Sequence, residues 1–148
     1  MSKANQKIKK LSSVIKVRER ELNYSRNELA QTRRDKTKML IDLSNSQKRY
    51  MKSVDDLNKL RMLQTSDAET LALESSIEYV RNKWADQLSD VRTLERQERI
   101  QLVMVQDLQA KLKAVEIINE KYLHEVELER ARNEQTHLDE FVNNRYAR

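Results

Sequence analysis

The chain has 148 residues, of which 36% are charged, 38% apolar and 5% aromatic, with a net charge of +5 and no glycine, proline or cysteine. Glycine and proline supply tight turns, phosphate-binding loops and the ends of most helices. Their absence argues against sheets, Gly-rich nucleotide loops and loop-built active sites, and the lack of cysteine removes disulfides and thiolate metal sites.

What remains is a chain with little to stop a helix once it has started. Its apolar fraction is too low for a thick core but sufficient for a narrow seam between long helices. The longest apolar run is Leu102-Val103-Met104-Val105, far short of the roughly 20 residues of a membrane span. The basic start is followed by no apolar stretch of the secretory kind. The expectation is a soluble, cytoplasmic protein with no membrane span.

The first predicted helix covers about 4–62. Stepping by sevens from Ile8 meets Ile15, Leu22, Leu29, Lys36, Leu43, Tyr50 and Leu57, so seven of these eight a positions are apolar or aromatic. The d positions run Leu11, Arg18, Ser25, Thr32, Met39, Ser46, Ser53 and Leu60 and include several small side chains. A sustained seven-residue repeat specifies a left-handed coiled coil. The first 20 residues hold seven bases (Lys3, Lys7, Lys9, Lys10, Lys16, Arg18, Arg20) against Glu19 alone, a local charge of +6. In this segment Val14 and Val17 widen the apolar stripe beyond what a two-helix seam needs. Such a basic amphipathic helix meets an acidic protein surface, an anionic membrane or nucleic acid, or is a solvated face; the residues leave these open.

A turn is expected at 63–66. Ser66 and Glu69 form an S-x-x-E capping box, which starts a second helix over about 67–144. Its a positions are Ile77, Trp84, Val91, Glu98, Val105, Leu112, Asn119 and Val126, and its d positions are Leu73, Val80, Gln87, Leu94, Gln101, Leu108, Val115 and Tyr122. If facing residues sum to 130, Leu57 meets Leu73, Leu22 meets Leu108, Ile8 meets Tyr122 and Ser46 meets Trp84. One register serves both helices. The predicted fold is all-α: a single long antiparallel two-helix coiled-coil hairpin over 1–148, with its turn near 63–68 and no β-structure. Lys36, Thr32, Glu98 and Gln101 cluster mid-seam, as a register-fixing polar patch with Lys36 and Glu98 as a candidate pair or, the less favoured reading, as a flexible point or binding notch. The tip is apolar, with Leu60, Met62, Leu63, Leu71 and Leu73.

From about residue 127 the second helix outruns its partner and projects beyond the N-terminus. There Leu138, Phe141 and Val142 share a face, which packs on the N-terminus of its own hairpin or, the favoured reading, makes an intermolecular contact. Glu134 and His137 form one E-x-x-H; helical di-iron sites need two, with further glutamates, so a solvated histidine is the reading. No catalytic residue, metal or cofactor is expected, and the chain is not read as an enzyme.

The segment Lys9-Lys10-Leu11-x-x-Val14-Ile15-Lys16-Val17-Arg18-Glu19 resembles the N-terminal signature of the FliJ family and its injectisome counterpart, the YscO/SctO family. The ending Arg130-x-x-x-Glu134-Gln135-x-x-Leu138-Asp139-Glu140-Phe141 resembles the same family's C-terminal pattern. The resemblance implies a non-enzymatic central stalk of a bacterial type III secretion system, peripheral to the inner-membrane apparatus. It implies that the end carrying both termini enters the pore of a hexameric secretion ATPase, through Ile8, Leu11, Val14, Ile15, Arg18, Glu134, Leu138 and Phe141. The other end would reach the cytoplasmic ring of the export gate through Leu71, Leu73, Ile77 and Val80, and export chaperones would also bind. The alternative is a basic coiled coil acting on nucleic acid or an anionic membrane surface. Ile8, Leu11 and Ile15 interrupt the basic run, which argues against a bZIP-like arm.

Overall fold

The computed structural model describes residues 3–63 and 66–146. It contains two α-helices, α1 over Lys3–Met62 and α2 over Asp67–Tyr146, which form an antiparallel hairpin with no strand among the described residues. The middle of the expected turn, Gln64 and Thr65, lies outside the described residues. At the close of α1 the Leu63 amide donates to the carbonyls of Lys59 (3.1 Å) and Leu60 (3.2 Å). Lys59 and Arg61 sit in that last turn, where cations meet the negative end of the helix dipole. At the start of α2 the Glu69 amide donates to Ser66 Oγ at 3.3 Å, and the Thr70 amide and hydroxyl both donate to the Ser66 carbonyl at 3.2 Å. Ser66 thus caps one of the orphan amides that every helix start presents.

The seven-residue pattern is the pattern of burial. Every a and d position from Ile8 to Leu60 and from Leu73 to Val126 is buried or half-buried, and most positions between them are exposed. The fully buried set is small: Leu22, Leu29, Leu57, Val91 and Val105, with the small polar residues Ser25, Thr32 and Ser46.

Compactness divides the chain into two units, Met1–Ser25 with Met104–Arg148, and Arg26–Val103. In the second, the Tyr50 and Trp84 rings stack with centroids 5.9 Å apart, a contact of about 0.5–1.5 kcal/mol beyond area burial. Near the turn Arg61 bridges to Glu74 at 3.0 Å. In mid-seam Lys36 Nζ lies 2.7 Å from Glu98, which also receives Arg33 Nε at 3.5 Å, so the Lys36–Glu98 pair expected from the sequence is present. In the first unit Lys7 Nζ sits 5.0 Å over the Tyr122 ring. The numbers of these cross-helix pairs sum to between 129 and 135, within about one and a half helical turns of the 130 register.

The Glu98 carboxyl is held below its ordinary value of 4.5, first by the hydrogen bond from Lys36, against an opposing push from desolvation, with the charges of Lys36 and Arg33 adding. A carboxyl lowered on folding contributes stability that is complete above 4.5 and is lost as pH falls through the lowered value. Glu98→Gln is expected to melt below the parent at neutral pH, because Lys36 loses its carboxylate, and to flatten the decline of melting temperature below pH 4.5; thermal melts followed by circular dichroism across that window check both. Ser66→Ala is expected to cost about 1 kcal/mol of unfolding free energy by removing the cap, read from urea unfolding.

Candidate functional site

The unit made of Met1–Ser25 and Met104–Arg148 contains both stretches that exceed the needs of a hairpin. Its seam is built from Ile8, Leu11, Ile15 and Arg18, all half-buried, leading to buried Leu22 and Ser25 on α1. Across from them stand buried Val105 and half-buried Leu108, Leu112, Val115, Tyr122 and Val126 of α2. Four of the candidate docking residues therefore have packing as their first task. Arg18 is held along its own helix by Glu21, Nη1 to Oε2 3.2 Å.

The other four face solvent. Val14 is 40% and Val17 51% exposed, on the side of α1 away from the seam. Around them Lys3, Lys9, Lys10, Lys16 and Arg20 are exposed, with no ion pair among the described residues. On α2 every residue from 127 to 146 is helical and exposed, Leu138 at 58% and Phe141 at 63%. Glu134 shares this stretch and lines a shallow open cleft with Asn5, Val126, Arg130 and His137. Glu134 and His137 sit together there on one helix, and among the described residues no group of three potential ligands gathers around a metal position. A surface of this kind offers apolar side chains to bury and charges to pair, and no catalytic or ligating arrangement among the described residues.

The turn end, in the unit Arg26–Val103, divides the same way. Leu71 is exposed, whereas Leu73, Ile77 and Val80 are half-buried seam residues. Met62 and Leu63 are among the most exposed apolar side chains of the chain. Ile100 and Val103 in this unit, and Ile117 in the other, are also largely exposed. They were not among the sequence candidates. Their signal was present, since all three fall at c or f of the repeat, where a two-helix seam has no use for an apolar residue.

No described helix is long and apolar enough to cross a membrane. The sequence matches the family described as Flagellar FliJ protein over residues 6–148. Comparison with curated proteins and with solved structures yields no match. With the repeat, the capped hairpin and nearly the whole length in agreement, the chain belongs to the FliJ family, non-catalytic stalk proteins of the type III export apparatus.

Proposed function

We propose that the protein acts on the cytoplasmic side of the export apparatus as a central stalk. The end formed by residues 3–24 and 127–146 enters the pore of a hexameric secretion ATPase. Within it Val14, Glu134, Leu138 and Phe141 make the contact, and the seam residues Ile8, Leu11, Ile15 and Arg18 hold them in place. The tip around Leu71 meets the cytoplasmic ring of the export gate, with Leu73, Ile77 and Val80 supporting it from the seam. Export chaperones bind the same protein. The observation that carries this reading is the stretch 127–146, wholly helical yet wholly exposed, with its one phenylalanine among the exposed side chains. A folded stretch of this length that leaves its large apolar side chains exposed calls for a partner. Breaker-free helices suit a shaft, because no residue in them favours a kink.

The cognate ATPase, assayed for hydrolysis with and without the full chain, tests the assignment. The protein is expected to stimulate hydrolysis, and Leu138→Ala with Phe141→Ala is expected to raise the concentration needed by about tenfold or more. Leu71→Ala, at the other end, is expected to leave stimulation intact. Stimulation indifferent to the double substitution overturns the assignment.

A further inference from the structure

Beyond Val126 the apolar side of α2 changes face. Carried forward, the seam positions become Glu129, Asn133, Thr136, Glu140 and Asn143, all polar. Ala131, Leu138 and Val142 lie roughly 180° around the helix from that line, at about 100° per residue. A partner for this stretch docks on the side away from α1. Nor does the stretch fold back onto its own α1, because α2 is one unbroken helix to Tyr146.

The new face also carries charge in a fixed spacing. Glu127, Glu134, Leu138, Phe141 and Arg145 follow one another at intervals of seven, four, three and four residues, which confines them to a stripe about 60° wide. On α1, Lys3, Lys10, Val14, Val17 and Glu21 have the same spacing, and all are exposed. Laid in parallel with a constant offset of 124, the stripes match at every step. Glu127 meets Lys3 and Glu134 meets Lys10. Leu138 covers Val14, and Phe141 covers Val17. Arg145 then meets Glu21, the one acid of the α1 stripe. Lys3, Lys10, Glu127, Glu134 and Arg145 make no ion pair within the chain among the described residues.

We infer that the chain forms a two-fold dimer in which residues 127–146 of each copy lie along residues 3–22 of the other. The direction is consistent: α1 and α2 are antiparallel, so a stretch of α2 that runs on past its own α1 and onto a second copy is parallel to that copy's α1. Both stretches are 20 residues, or about 30 Å of helix. Two-fold symmetry makes each contact twice. The contacting face is the one assigned above to the ATPase, so dimerisation and docking exclude each other; that corollary alone rests on the stalk reading.

Analytical ultracentrifugation of the full chain tests the dimer without any ATPase. A concentration-dependent dimer is expected at low salt, weakening as salt rises. Lys10→Glu and Glu134→Lys are each expected to weaken it by about fivefold or more, since each turns two attractions into repulsions. Combined in one chain, they restore the pairing and return the dissociation constant to within about twofold of the parent. Leu138→Ser with Phe141→Ser gives a monomer of undiminished helicity by circular dichroism, because both side chains are exposed in the single chain. A monomer at every concentration at low salt overturns the inference. So does a dimer that the single reversals or the serine pair leave unchanged, or that the combined reversal fails to restore.

Discussion

Two helices without a breaker residue have one place to hide apolar surface, the line along which they touch. Everything else in this protein follows from that line. Only a and d positions leave solvent completely, and few of them do so. Stability is accordingly spread over many thin layers, each made of one or two residues from each helix, and a shift in register would mismatch them all. Small buried side chains at d are part of the same arrangement. Ser25, Thr32 and Ser46 let the backbones approach, and the bulk they omit is supplied by large neighbours such as the stacked Tyr50 and Trp84.

The polar layers work against stability and in favour of specificity. Gln87, Gln101 and Asn119 each place a buried oxygen in the seam without a hydrogen-bond partner among the described residues, and a buried polar atom left unpaired is costly. Apolar residues there would hold the helices more tightly, but would hold them almost as well in a register one heptad away. The Lys36–Glu98–Arg33 group breaks that degeneracy, because slipping by seven residues would remove the carboxylate from between its two cations.

Much of this was legible in the residues. Period seven needs no structure to be seen, and Ser66 with Glu69 announces a helix start. Summing facing numbers to 130 brought Lys36 and Glu98 into adjacent layers, where the bridge is found. The Tyr50–Trp84 stack was less legible. The same register sets Ser46 against Trp84 and Val80 against Tyr50, so the stack is a diagonal between layers, decided by rotamers rather than by spacing. The candidate site was legible as a region and not residue by residue. Apolar character alone does not say whether Ile15 faces α1's own partner or the outside, whereas the angular position of Val14, one residue away, does. Leu73 and Leu71 at the tip divide on the same ground.

The change of face near residue 126 bears on how any partner approaches. Had the stretch 127–146 been meant to continue the hairpin's own seam, with a further helix taking the place of α1, its a and d positions would have stayed apolar. They are Glu129, Asn133, Thr136, Glu140 and Asn143 instead, and burying that row would strand polar groups. The exposed apolar side chains lie on the opposite side, where Leu138 and Phe141 stand beside Glu134, and that is the side on which the proposed contact falls. The proposed binding face is then independent of the seam. On that reading, substitutions there are expected to change association while leaving the hairpin intact, and substitutions in the seam to reach the proposed face only through the fold.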